Sequence, residues 1–186
     1  YNEKTGYAFA TDSAVAIDYS QGDSLFLHAD TLLMETFHID TDSMFREMRA
    51  FHKVRFYRTD VQGTADSLVF STVDSCLTMY HDPIIWNKNQ QLLGEVIKVY
   101  MNDSTIDWSH IIGQALSVEK VDSTIYNQVT GKEMKSYFDG GEMRKTEVIG
   151  SVRVVYYPMD SDSTLIGMNV SETSKLEIYL QNRKIE

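Results

Sequence analysis

The chain has 186 residues, 27 acidic against 17 basic side chains for a formal net charge of -10, two prolines, ten glycines and one cysteine. That length suits a single domain, 1–186, with a buried core, and the scarcity of Pro and Gly leaves no room for a linker or a low-complexity tail. The acidic balance excludes binding that rests on clustered Lys and Arg, so no nucleic acid partner and no electrostatic docking on an anionic membrane surface is expected.

Taken in order, Tyr7 to Met34 reads as two or three strands, with Ala14, Val15 and Ile17 in the first and Leu25, Leu27 and Ala29 alternating with Ser24, Phe26 and His28 in the last. Thr36 to Lys53 breaks the rhythm. Ser43 can cap a short helix in which Met44, Phe45, Met48 and Phe51 recur at helical spacing, although a long hairpin connection would take the same residues. Strands resume at Val54–Tyr57, Ser67–Ser71, Cys76–Tyr80, Ile84–Trp86 and Glu95–Met101, run on to Tyr157, and end with Leu176–Leu180. Asp82-Pro83 marks a turn into a strand, and Asn102-Asp103-Ser104, Asp139-Gly140-Gly141 and Gln181-Asn182-Arg183 have the chemistry of hairpin turns. Cys76, in an alternating stretch, reads as a small half-buried residue; alone, it allows no intrachain disulfide and no zinc spacing.

The chain copies itself. Gly94-Glu95-Val96-Ile97-Lys98-Val99-Tyr100 returns as Gly131-Lys132-Glu133-Met134-Lys135-Ser136-Tyr137, and Ile111-Ile112-Gly113 returns at the same offset as Val148-Ile149-Gly150. Fainter copies are read at Gly22–His28, around Gly63 to Phe70 one residue out of register, and at Leu176–Gln181, giving about five units. Such periodicity means stacked supersecondary units. Because side chains alternate along a strand, the copies predict an interior of Leu25, Leu27, Ile97, Val99, Met101, Met134, Phe138, Leu176, Ile178 and Leu180. Lys98, Lys135, Glu177 and a ladder of Tyr100, Tyr137 and Tyr179 then lie outside. That ladder is read as cross-strand stabilisation of ~0.2 to 1 kcal/mol per pair in preference to a carbohydrate-stacking surface.

The five histidines, His28, His38, His52, His81 and His110, never fall in a metal-ligand motif, and no nucleophile elbow, phosphate loop or dinucleotide fingerprint is present. No catalytic residue, metal site or cofactor is therefore expected. Asp followed by Ser or Thr recurs, as at Asp12-Ser13, Asp30-Thr31 and Asp66-Ser67; strand entry and turn capping account for it, and O-glycosylation is the sharper alternative. No apolar run reaches the ~18 residues that span a bilayer as a helix. Starting at Tyr1 without methionine, the chain reads as a trimmed piece of a longer one, its export signal, if any, removed.

The repeated Gly-acid-x-apolar-x-apolar-Tyr units, the phrase Gly22-Asp23-Ser24-Leu25-Phe26-Leu27-His28-Ala29-Asp30-Thr31-Leu32 and the run Val54-Arg55-Phe56-Tyr57-Arg58-Thr59-Asp60-Val61-Gln62-Gly63-Thr64-Ala65-Asp66-Ser67-Leu68 resemble the OstA-like proteins. These are the organic-solvent-tolerance and lipopolysaccharide-transport family, in the version found in Bacteroidetes. Asp82-Pro83-Ile84-Ile85-Trp86 is similar to that family's segment before its next Gly-acid unit. The resemblance implies an all-β, twisted β-jellyroll, V-shaped in section, whose apolar groove holds lipopolysaccharide acyl chains at the periplasmic or outer-membrane side of the envelope. It also implies partners: further OstA-like components, or copies of the same chain, joined by edge-strand pairing. Arg55, Arg58, Lys98, Lys135 and Arg153 are candidates for a lipid headgroup. A structural or adhesive β-array with a packed interior and no ligand is the alternative.

Overall fold

A computed structural model describes residues 2–19, 23–102, 105–160, 164–181 and 184–185. Every regular element among them is a strand: β1 (Tyr7–Asp18), β2 (Leu25–Phe37), β3 (Phe45–Tyr57), β4 (Val61–Ser71), β5 (Cys76–Tyr80), β6 (Ile84–Asn87), β7 (Gln90–Leu93), β8 (Val96–Asn102), β9 (Thr105–Lys120), β10 (Tyr126–Asp139), β11 (Glu142–Tyr156), β12 (Asn169–Gln181) and β13 (Lys184–Ile185). All pairings are antiparallel, and the strands follow one another across a single sheet in chain order. The one departure is local: β4 pairs with both β5 and β6, and β9 with both β7 and β8. Hence β5 with β6, and β7 with β8, are two halves of long strands like the rest, interrupted at the same level. The expected all-β array of antiparallel units is what the chain forms.

That level is a corner. The register slips between Thr11 and Ala14 in β1, Phe51 and Val54 in β3, Ile112 and Ala115 in β9, and Ile149 and Val152 in β11. At each slip the odd-numbered strand carries one residue more than its partner, and an unpaired extra residue bends a strand. The backbone shows how: Asp12 and Ser13, His52 and Lys53, His81 and Asp82, Gly113 and Gln114, Gly150 and Ser151 all have positive φ. Glycine adopts this region freely, Asp and His more readily than most, so the corner residues are largely those that tolerate it.

Stacked in register, the bends fold the sheet into two arms. A long arm holds segments such as Leu32–Phe37, Ile97–Asn102 and Met134–Asp139; a short arm holds Ala14–Asp18, Leu25–Ala29, Val54–Tyr57 and Val152–Tyr156. A single layer of sheet leaves both faces to water, and among the described residues no helix covers this one. Yet Ala50, Met79, Ile97 and Val148 are 0% exposed, because the arms face each other across the corner and bury one hydrophobic core drawn from both. The inside of the bend is lined by small residues, Ala14, Ala29, Ala65, Ala115 and Gly131, with Val54, Pro83 and Val152. At Gly94 and Gly131 a Cβ would lie 2.4 Å from Ile111 Cγ2 and 2.5 Å from Val148 Cγ1, so the bend there closes on a bare backbone.

Two expectations are corrected. Thr36 to Lys53 contains no helix: β2 continues to Phe37, a turn held by Thr41 N–H to His38 C=O and Met44 N–H to Thr41 C=O reverses the chain, and β3 follows. Phe37 and Phe45 stack at 4.6 Å across that turn. The apparent helical spacing of Met44, Phe45, Met48 and Phe51 comes from a turn residue followed by a strand whose two faces both carry apolar residues. The unit placed at Gly22 is also shifted. Gly22 lies outside the described residues, and Leu25 to Ala29 runs toward the corner on the short arm, whereas Ile97 to Met101 runs away from it on the long arm. The true counterparts of Gly94–Ile97 and Gly131–Met134 are Ala29-Asp30-Thr31-Leu32 and Ala65-Asp66-Ser67-Leu68. Alanine replaces the corner glycine, which hid the repeat. Asp103, Ser104, Asn182 and Arg183, assigned to turns from sequence, lie outside the described residues.

Candidate functional site

The residue following each small corner residue braces a neighbouring bend from outside. Asp30 Oδ2 pairs with Lys53 Nζ at 3.1 Å and Asp66 Oδ1 meets His52 Nδ1 at 3.3 Å. Gln114 Nε2 donates to Glu95 Oε1 at 3.3 Å, and Lys132 packs so closely over Gly150 that a Cβ there would lie 2.8 Å from its side chain. His52 and His81 thus serve the bend, and no cluster of metal-ligating side chains occurs among the described residues.

Inside, the long arm carries cross-strand rows that run the length of the array. Next to the corner, the residues Ala10, Leu32, Ala50, Leu68, Met79, Ile97, Ile111, Met134, Val148 and Leu176 lie directly opposite one another, strand by strand. From Leu32 to Val148 this row is buried. One step toward the rim, Met34, Met48, Phe70, Leu77 and Val99 are followed by Ser109, Ser136, Thr146 and Ile178. Here Met34 is 36% exposed and Met48, Phe70 and Leu77 are half-buried, so apolar surface opens outward from the sealed corner. On the facing short arm the matching row is Ala16, Leu27, Phe56, Gly63, Ile85 and Leu92, then Ser117, Val129, Val154 and Ser171.

All ten residues named from sequence as lining lie on this concave face. Leu27, Ile97, Val99 and Met134 are buried, and Leu25, Met101, Phe138, Leu176, Ile178 and Leu180 are half-buried. Sequence reasoning missed Leu32, Met48, Leu68 and Phe70, which the mistaken helix and the shifted first unit concealed; the Ala-Asp-Thr/Ser-Leu phrase at Ala29 and Ala65 was the available signal.

The five headgroup candidates do not gather. Lys98 and Lys135 sit on the outer face of the long arm, Arg55 and Arg153 on the outer face of the short arm, and Arg58 at the rim turn between β3 and β4, where its Nε donates to Asp60 Oδ1 at 2.6 Å. The guanidinium holds the Asp60 carboxyl below the usual carboxylate range. One cation missed from sequence does share the concave face: Arg46, in line with Met48 and Ala50 beside the long-arm rim, exposed and in no ion pair among the described residues.

On the convex face the aromatic ladder is built from Tyr100, Trp108 and Tyr137, with Tyr100 and Trp108 stacked at 4.0 Å and Trp108 to Tyr137 at 6.5 Å. Cys76 lies beside it, fully buried at 5% exposure where its strand pattern suggested a half-buried residue. Burial, and then Cys76, push the Tyr100 hydroxyl upward. Compared with known proteins, the chain matches no family model and no curated sequence.

Proposed function

We propose that the chain is a lipid-holding module of the OstA-like kind, which shields acyl chains of lipopolysaccharide or a related lipid between its arms at the periplasmic or outer-membrane side of the envelope. The observation that carries this reading is the half-exposed row Met34, Met48, Phe70 and Leu77 facing inward above a sealed apolar floor. Each methylene placed there gains ~0.8 kcal/mol from leaving water, and methionines adapt to chains of varied shape. With a net charge of -10, no overall field draws in a phosphorylated lipid. Burial must supply the affinity, and Arg46 is the cation best placed to meet a headgroup at the rim. Lys98 and Lys135, facing away from the cleft, suit that role less well.

The packed β-array remains as a second reading, because the row beside the corner is filled to near-zero exposure. Photo-crosslinking separates the two. A benzophenone residue at position 48 or 70 should capture lipid A in a Gram-negative envelope extract, and the same probe at position 98 should not. Equal capture at all three positions, or none at 48 and 70, overturns the lipid reading in favour of the packed array.

A further inference from the structure

The short arm carries a second concavity, a cup of about 260 Å³ that lies mainly on its convex face and is also lined by Phe56 and Gly63 of the interior row. Its outer wall is one cross-strand row, Phe26, Tyr57, Gln62 and Trp86, each directly opposite the next on β2, β3, β4 and β6. Arg55 and Thr64 lie in the adjacent row, with His28 beside them. Neighbouring strands are ~4.8 Å apart, so three aromatic rings, an amide and a guanidinium converge on one small basin.

Two features separate this cup from ordinary outer-face packing. The rings are not engaged with one another: Tyr100 and Trp108 on the long arm stack face to face at 4.0 Å, whereas Phe26, Tyr57 and Trp86 have no ring partner among the described residues, and Phe26 and Tyr57 are 41% and 51% exposed. The cation is likewise free. Arg55 is exposed in an acidic chain, its cross-strand neighbours are His28 and Thr64, and it makes no ion pair among the described residues.

From this the geometry points to a binding site for an anionic sugar ring, a pyranose bearing a carboxylate, on the convex face of the short arm. The C–H faces of a pyranose pack on the electron-rich faces of aromatic rings. Gln62 and Thr64 offer both donors and acceptors for ring hydroxyls, and the Arg55 guanidinium matches a carboxylate with two parallel N–H groups. The volume falls just below the ~300 Å³ at which drug-sized sites begin, which fits one or two sugar rings and is too small for a bundle of acyl chains. The site shares no side chain with the proposed headgroup cation and stands whether or not the cleft holds lipid.

The chain's two tryptophans make the test internal: Trp86 lines the cup and Trp108 is stacked against Tyr100. ¹⁵N-labelled protein is titrated with glucuronate, with methyl glucoside and with decanoate, and the two indole N–H signals are followed. Glucuronate should move Trp86 saturably and leave Trp108 in place, with methyl glucoside binding at least five-fold more weakly. Arg55→Gln should reduce glucuronate affinity at least five-fold, to the level of the neutral sugar, and Tyr57→Ala should abolish both; as both side chains are exposed, the remaining spectrum should be unchanged. The proposal is overturned if neither sugar moves Trp86, if Arg55→Gln binds glucuronate as wild type does, or if decanoate alone moves Trp86. A failure here leaves the crosslinking result at positions 48 and 70 untouched.

Discussion

The two ends of the concave face share a backbone and differ in chemistry. In β2 to β5 the second interior row is Met34, Met48, Phe70 and Leu77; in β9 to β11 the same row is Ser109, Ser136 and Thr146. Ser136 Oγ and Thr146 Oγ1 are 3.0 Å apart and Thr146 Oγ1 lies 3.2 Å from Met143 Sδ, and Ser109, Ser136 and Thr146 are all buried. The C-terminal rungs therefore close their interior with hydrogen bonds, and the N-terminal rungs leave apolar side chains facing an opening. Alternation along a strand settles which positions point inward. It does not settle what those positions can hold, and if the cleft carries acyl chains, Met48 and Phe70 are where they should rest.

The corner row, common to both ends, gives the largest expected effect. Ile97 is 0% exposed among Met79, Ile111 and Val99, so Ile97→Asp buries an unpaired carboxylate and should cost more than ~4 kcal/mol, enough to prevent folding. Lys98→Asp, one residue away on the outer face, should change stability by ~0.5 kcal/mol or less. Urea denaturation of both variants checks the pair; a larger loss for Lys98→Asp would mean that the faces have been assigned the wrong way round.

The bend comes next. Gly131→Ala brings a Cβ to within 2.5 Å of Val148 Cγ1, and overpacking of this kind costs ~1–3 kcal/mol. Gly140→Ala at the β10–β11 turn meets nothing within 4 Å but must keep a φ of +57°, a strain of ~1–2 kcal/mol for an L-residue. Thermal unfolding of Gly131→Ala with and without the relieving change Val148→Ala distinguishes the causes, because only crowding is rescued by a smaller neighbour.

These two tests also mark how far the sequence could be read. The inward and outward faces followed from alternation alone, and the hairpin copy at Gly94 and Gly131 revealed the array because two glycines and two tyrosines happened to mark it. The corner itself was hidden. Its requirement is for a small residue inside and a positive-φ pair on the neighbouring strand, and Ala29 and Ala65 meet the first as Asp12-Ser13, His52-Lys53 and His81-Asp82 meet the second. A conformational demand that several residue types can answer leaves no single letter to find. The helix expected after Thr36 failed for a related reason: Phe45, Met48 and Phe51 are apolar on both faces of β3, and periodicity cannot distinguish that from a helical stripe.

Hydroxyl pairing sharpens the comparison between the two ends. Thr146→Val removes the partner of the buried Ser136 hydroxyl and should destabilise by ~1–2 kcal/mol. Thr36, in the N-terminal half, is also buried, yet its Oγ1 has no hydrogen-bond partner among the described residues. Thr36→Val keeps the shape and should be neutral or stabilise by up to ~1 kcal/mol. Opposite signs for the same substitution are expected in chemical denaturation; a loss of stability for both would show that Thr36 contributes a polar contact of its own.

The smallest effect lies on the convex face of the C-terminal rungs, where Lys145, Glu147, Lys175 and Glu177 form a charge cluster. Lys175 Nζ lies 2.6 Å from Glu177 Oε1 and Tyr179 Oη donates to Glu177 Oε2 at 2.8 Å. The hydrogen bond from Lys175, followed by that from Tyr179, takes the Glu177 carboxyl from its ordinary 4.5 down to about 2. A carboxylate whose folded value is depressed contributes stability that is fully present above the unfolded value and lost as pH falls through the folded one. Wild type should therefore exceed Glu177→Gln in thermal stability at pH 6, by a small margin because exposed pairs are screened. That margin should begin to shrink below pH 4.5 and vanish near pH 2. A margin that widens on acidification, or one already absent at pH 6 in low salt, would show that the cluster is held together by the sheet and adds nothing to it.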